Sequence, residues 1–237
     1  MPGARKPLRS SIGLPPLPSL RPPLAPLLKA LSLCLAGMLF ASSAIAGAQI
    51  DTPLSASVRA VLQQSVSDHA APKPAFGTQH EADMWLNEMS QRLEKSLPDK
   101  DYRLSFLKTV HYEATRAGLD PQLVLGLIEV ESGFKKYAVS SAGARGYMQV
   151  MPFWVREIGT PEHNLFHLRT NLRYGCTILR YYLDMENGDL YRALGRYNGS
   201  LGQPGYPNMV RAAWHNHWSL PRRAFTNSGR SATPTLG

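Results

Sequence analysis

Cysteine is almost missing from this chain: two residues in 237, Cys34 and Cys176. With one of them in an N-terminal segment that reads as removable, a disulfide-stapled scaffold is excluded and the fold has to hold by packing. Acidic residues are absent from residues 1–46, which carry five of the 26 basic ones (Arg5, Lys6, Arg9, Arg21 and Lys29). Without that segment the balance is 21 basic against 17 acidic, so the formal +9 falls to +4. No dense basic patch accompanies this excess, which argues against nucleic acid and suits an acidic polymer or a membrane surface. A Gly-rich phosphate loop is lacking too, as are an internal repeat, a hairpin signature and an alternating strand of useful length. These absences leave a mainly α class, with at most a minor β element. A hydrophobic content of 43% with 18% charged residues is enough for a sizeable core.

What is present begins with an address. After a basic, proline-rich lead ending at Lys29, the run ALSLCLAGMLFASSAIA is apolar to Ala46. Ala44-Ile45-Ala46 is a small-x-small cleavage site and Ala46-Gly47-Ala48 a second option, so residues 1–46 read as a signal peptide. The alternative is an uncleaved N-terminal anchor, for which about 17 apolar residues rich in Ala, Ser and Gly is short. Cys34 follows the bulky Leu33 where lipoprotein processing wants a small residue, which argues against lipidation. Export would leave Cys176 alone, and its apolar neighbours at helical spacing place it in a core.

Residues 47–79 read as a partly ordered polar arm and linker, in which Val58–Val66 could form a short helix. The domain proper is expected over residues 80–218. Met84, Trp85, Met89 and Leu93 lie at helical spacing and Pro98 closes that segment. Tyr102–Gly118 forms a second helix with Leu104, Leu107, Val110 and Ala114 on one side. Asp120-Pro121 is a helix start, an Asp cap with proline at the first helical position, and Gly133 ends that helix. A loop runs to about Arg145, followed by a helical turn that Pro152 breaks. Leu168–Met185 carries the stripe Leu168, Leu172, Cys176, Leu179 and Leu183, and Asp189 caps a last helix ending at Asn198-Gly199. Residues 219–237 are poor in large apolar side chains and read as a disordered tail.

Chemistry is best placed on the helix that Asp120 opens. Leu123 and Leu127 are one turn apart and the next step of four lands on Glu131, with Ile128 three residues before it. Glu131 therefore rides the apolar stripe, while Glu129, rotated by about 200°, faces elsewhere as a solvated or cap-pairing side chain. A carboxyl on a core-facing stripe is desolvated, stays protonated near neutrality and so fits a general acid. The same position also fits a buried glutamate paired with Arg145 or Arg196. Downstream, Ser140, Ser141, Gly143, Gly146 and Gln149 offer hydroxyl, amide and open backbone, groups that suit a polysaccharide. Tyr197 and Asn198 follow at a helix end, where a tyrosine on an apolar stripe is ordinarily core. His163 and His167, and His215 and His217, match no metal-ligand pattern, so neither metal nor cofactor is expected.

Glu131-Ser132, then Gly146-Tyr147-Met148-Gln149, then Ala193–Asn198 (ALGRYN) resemble the three ordered motifs of the soluble-lytic-transglycosylase family, lysozyme-like enzymes of the bacterial cell wall. The resemblance spans about residues 101–218, and Asn171 and Gly175 match the helix between the second and third motifs. It implies a lysozyme-like helical domain in which Glu131 is the sole catalytic acid and base. Ser140, Gln149 and Met151 match substrate-contacting positions, Tyr197 matches the tyrosine placed near the glutamate, and Asn198 accompanies it. Three positions depart from the family pattern: Tyr147 for leucine, Ile178 for tyrosine, and Gly199-Ser200 for alanine-glycine.

The resemblance also implies a reaction. Glycosidases ordinarily use two carboxyl groups; in this family the C6 hydroxyl of N-acetylmuramic acid replaces water and closes on C1. Cleavage of the β-1,4 bond to N-acetylglucosamine then leaves a 1,6-anhydro sugar. A lysozyme-type hydrolase is the rival reading, for which Asp184, Glu186 and Asp189 are the candidate second acids, although they cluster near a turn and look solvated. A non-catalytic cell-wall or secretion-associated binding protein is the rival from another class. The implied location is the bacterial periplasm or cell envelope, and the implied partners are peptidoglycan strands and secretion or cell-wall machinery. Membrane contact is expected only through the N-terminal segment.

Overall fold

A computed structural model describes residues 49–67, 76 and 78–220. The expected leader with Cys34, most of residues 68–77 and the tail from residue 221 lie outside them. Eight α-helices occur among the described residues: α1 (Ala56–Val66), α2 (Gln79–Leu93), α3 (Lys100–Arg116), α4 (Pro121–Ser132), α5 (Phe153–Ile158), α6 (Leu168–Met185), α7 (Leu190–Asn198) and α8 (Gly205–Ala213). A π-helical turn, Trp214–Trp218, continues α8. The fold is mainly α, and its β element amounts to two isolated antiparallel bridges, Val139 with Arg145 and Arg145 with Val150.

Local chemistry sets the helix ends. Asp99, Asp120 and Asp189 each accept a backbone N–H of the following turn, from Tyr102, Gln122 and Arg192. These bonds satisfy donors that the helix itself leaves open. Gly133 and Gly199 close α4 and α7 in the left-handed region, at φ 55° and 75°, which a β-carbon would disfavour.

The helix α4 lies at the centre. It packs against α3 on one side and against α8 and the π turn on the other, and Leu123 through Ile128 are all buried. A helix apolar all round belongs inside a core rather than at its edge. Gly126 makes the arrangement possible, because a β-carbon there would sit 2.8 Å from the Trp214 backbone nitrogen. Cys176 is buried and free, as its stripe predicts.

Two expectations need adjustment. Over its described part, the 47–79 arm is anchored more firmly than its polar composition suggests. Its helix α1 begins at Ala56, capped by the Ser55 hydroxyl, and buries Leu62 and Val66 in the same core as α3 and α6. Gln49 is 3% exposed and accepts from Trp154 Nε1 at 2.8 Å. The polar composition hides these few anchoring side chains. Pro152 does not break a helix: it stands just before α5, where its missing N–H costs nothing. Among the described residues no helix is long and apolar enough to cross a membrane.

If α1 belongs to the core, Leu62→Ala lowers the free energy of unfolding by about 2–3 kcal/mol in urea or guanidinium. An unchanged denaturation midpoint would mean that α1 packs without stabilising the domain.

Candidate active site

Helical phase places Glu131 inward, and the structure agrees: its carboxyl is 4% exposed at the last turn of α4. No cation pairs with it among the described residues. Its partner is Tyr206 of α8, whose hydroxyl donates to Oε1 at 2.5 Å. Burial raises the Glu131 pKa to about 8, and the Tyr206 O–H opposes the rise only in part. Burial and the nearby Glu131 carboxyl together push the Tyr206 and Tyr197 hydroxyls up as well. Glu131, Tyr197 and Tyr206 thus share one dry environment at the junction of α4, α7 and α8.

Arg196, one expected partner of Glu131, is instead an ion-pair partner of Glu186. Arg145, the other, lies over the Phe166 ring, 5.9 Å from its centroid. Glu129 is not simply solvated: it takes His217 Nδ1 at 2.8 Å and Trp218 Nε1 at 2.6 Å, tying the π turn to α4. The candidate second acids are committed elsewhere. Glu186 is paired with Arg192 and Arg196 rather than solvated, and these guanidinium groups hold its carboxyl below the usual range. Asp184 pairs with Arg180 at 2.5 Å and Asp189 caps α7.

The remaining predicted residues lie on the loop after α4 or at its supports. Ser140 Oγ accepts from the Ala144 N–H at 3.1 Å, closing a turn of that loop. Gln149 is buried at φ 46°, and its amide donates to the carbonyls of Ala138 (3.1 Å) and Gly146 (2.8 Å). Its N–H groups therefore hold the loop together. Met151 is half-buried, with its backbone N–H directed at Gln49 Oε1 at 3.4 Å. Tyr197 donates to the Met148 carbonyl at 2.7 Å, and Asn198 is buried beside it at the end of α7. No described bond joins Ser140, Gln149 or Met151 to Glu131 directly. His163 is engaged with the Tyr174 hydroxyl at 2.7 Å, and no cluster of three or more His, Cys, Asp or Glu occurs among the described residues.

Sequence reasoning missed Tyr206 and Gln49. Tyr206 stands eight residues past Asn198 on a short helix interrupted by Pro207, where no clear apolar period announces it. Gln49 has no motif, and only the three-dimensional contact with Trp154 identifies it.

The second-motif residues explain how the loop is fixed beside this site. Asn171 Oδ1 accepts from the Met148 N–H at 2.8 Å, and its Nδ2 donates to the carbonyls of Arg145 and Leu165 at 2.8 Å each. Gly146, at φ 75°, leaves no room for a β-carbon, which would meet Asn171 Nδ2 at 2.4 Å. Residues 108–207 match the family described as Transglycosylase SLT domain. That stretch, under half of the chain, is similar to a transglycosylase SLT domain. The chain is 30% identical over 134 residues to a transglycosylase of Enterobacteria phage PRD1, across 56% of this chain and 49% of that protein. Against the membrane-bound lytic murein transglycosylase C of Haemophilus ducreyi it is 34% identical over 113 residues, covering 41% and 31%. The corresponding protein of Actinobacillus pleuropneumoniae is 53% identical over 47 residues, covering 20% and 13%. The chain therefore spans half or less of these relatives' length. An inactive mutant of the lytic transglycosylase Slt from Pseudomonas aeruginosa aligns over 70% of this chain and 32% of its own, at 20% identity and a TM-score of 0.38.

The buried Glu131 carboxyl has a thermodynamic signature. Between about pH 4.5, the unfolded value, and about 8, the folded state holds a proton that the unfolded state has released. Its stabilising contribution is complete below that window and is lost as pH rises through it. Glu131→Gln should therefore be more stable than wild type near neutrality by roughly 2–3 kcal/mol, with the advantage shrinking toward pH 4. Denaturation of both proteins across pH checks this; a pH-independent difference would contradict the raised pKa.

Proposed function

We propose that this domain works as a peptidoglycan lytic transglycosylase, with Glu131 as its only acid and base. The observation that carries this reading is a buried carboxyl held by a tyrosine hydroxyl, with its pKa raised by burial, while Glu129, Asp184, Glu186 and Asp189 are occupied by their own partners. Glu131 gives its proton to the glycosidic oxygen between N-acetylmuramic acid and N-acetylglucosamine as the C1–O bond breaks, and the 2-acetamido group stabilises the cation. The ionised carboxylate then takes the proton of the C6 hydroxyl, whose oxygen bonds to C1. Glu131 returns to its starting state and the product is a 1,6-anhydro end, with no water consumed. A pKa near neutrality serves both halves of this cycle.

Tyr206 orients the carboxyl and stabilises its ionised form. Tyr197 and Asn198 wall the site, and Ser140, Gln149 and Met151 belong to the glycan groove, Gln149 through the loop shape that its amide maintains. Residues 1–46 export the domain to the bacterial cell envelope, where glycan strands are its substrate and secretion or cell-wall machinery a further partner.

Glu131→Gln should reduce release of soluble muropeptides from purified sacculi by at least about a thousandfold. Wild-type products should be one water lighter by mass than hydrolysis products; reducing ends instead would establish a lysozyme-type reaction. Tyr206→Phe removes a hydrogen bond that favours the ionised form, so the alkaline limb of the pH–rate profile should move up while kcat falls about tenfold. An unmoved limb would remove Tyr206 from the proton cycle.

A further inference from the structure

The loop that leaves the C-terminus of α4 carries a feature that the proton cycle does not use. From Ser132 to Arg156 the sequence contains Lys135, Lys136, Arg145 and Arg156 and no acid. Among the described residues, Lys135, Lys136 and Arg145 have no carboxylate partner. Val139 bridges Arg145, and Tyr137 lies in the turn just before it. Tyr137 and Val139 are exposed, at 69% and 59%, the former the highest among the large hydrophobic side chains of the described residues.

The side chains form an ordered array. Lys136 Nζ lies 5.2 Å from the Tyr137 ring centroid, the Tyr137 and Phe166 rings are 5.8 Å apart, and the Arg145 guanidinium carbon lies 5.9 Å from the Phe166 centroid. Cation, ring, ring and cation succeed one another across the surface, within the range of cation–π attraction. The backbone beneath is held by both β bridges, by Ser140 with Ala144 and by the Gln149 amide, so the array is preorganised. Tyr137 is six positions along the chain from Glu131, which limits their separation to about 20 Å, well within a glycan strand of a few sugars.

Unpaired cations flanking one exposed and one half-buried ring match a ligand with carboxylates spaced along a flat, partly apolar backbone. On the reading of Glu131 given above, the substrate offers such a group: the short peptides borne by N-acetylmuramic acid contain free carboxylates. We propose that Lys136, Tyr137, Arg145 and Phe166 form a subsite for the anionic peptide stem, so that the domain prefers peptide-bearing strands to naked glycan. The rings carry the stem backbone and the two cations take its carboxylates.

The test compares intact sacculi with glycan strands stripped of peptides by an amidase, scoring anhydro ends. Wild type should act about tenfold faster on intact sacculi, and added salt should erode that preference. Lys136→Gln with Arg145→Gln, which leaves the bridging backbone in place, should abolish the preference by slowing cleavage of intact sacculi alone; Tyr137→Ala should do so in part. Equal loss on both substrates, or no loss on either, overturns the subsite while leaving the role of Glu131 intact. Absence of anhydro ends from both substrates with wild type overturns that role and the subsite together.

Discussion

A carboxyl group on a helix buried along most of its length is the constraint around which this domain is arranged. The helix α4 can be central because Leu123 to Ile128 offer only apolar surface, and because Gly126 lets the π turn approach. Glu131 lies at its final turn, where the negative end of the helix dipole adds to the desolvation that already disfavours ionisation. One hydroxyl, from Tyr206, is enough to satisfy a neutral carboxyl but not to neutralise a charged one. The same helix supplies Glu129, whose two bonds to His217 and Trp218 fix the π turn. Two glutamates on one helix thus do unrelated work, set by a rotation of about 200°.

The loop after α4 is rigid for a different reason. Its backbone passes through left-handed conformations at Phe134, Gly143, Gly146 and Gln149, and the polar groups freed by those turns are met by side chains. Asn171 answers Met148, Arg145 and Leu165 at once. Gly175 lets Met148 lie against α6, since a β-carbon would stand 2.3 Å from its sulfur. Tyr147, a departure from the family's leucine, keeps its ring against Phe106 and finds the Tyr102 hydroxyl at 2.6 Å. Ile178, another departure, is fully buried. Both substitutions are absorbed by the core without removing a group from the Glu131 environment.

Much of this was legible in the sequence, and for identifiable reasons. Asp120-Pro121 and Gly133 bound α4 because capping is a local interaction, and Leu168–Met185 was readable because its stripe persists over many turns. Glu131 followed from phase alone. What escaped depends on distant contacts: Gln49 reaches Trp154 across more than a hundred residues, and α1 is anchored by Leu62 and Val66 within a polar segment. The helix α8 is short and contains Pro207, so neither its existence nor Tyr206's reach to Glu131 has a local signature. Glu186 reads as solvated because it sits near a turn, yet Arg192 and Arg196 fold back over it.

Burial alone does not decide whether a glutamate is an ion-pair centre or a neutral carboxyl, and this domain contains both arrangements. Glu113 is 1% exposed and receives Arg173 through two bonds of 2.9 and 3.0 Å, with Arg116 and Arg169 each 3.4 Å away. That carboxylate is an ion-pair centre linking α3 to α6, and removing its charge would strand arginine side chains in the core. Glu131 is nearly as buried but has a hydroxyl where Glu113 has guanidinium groups. With no guanidinium to favour its ionised form, burial keeps the Glu131 pKa raised, to about 8, the state that the proposed acid role needs. The arginines that would hold Glu131 ionised are present in this domain, but they pair with Glu113 and Glu186.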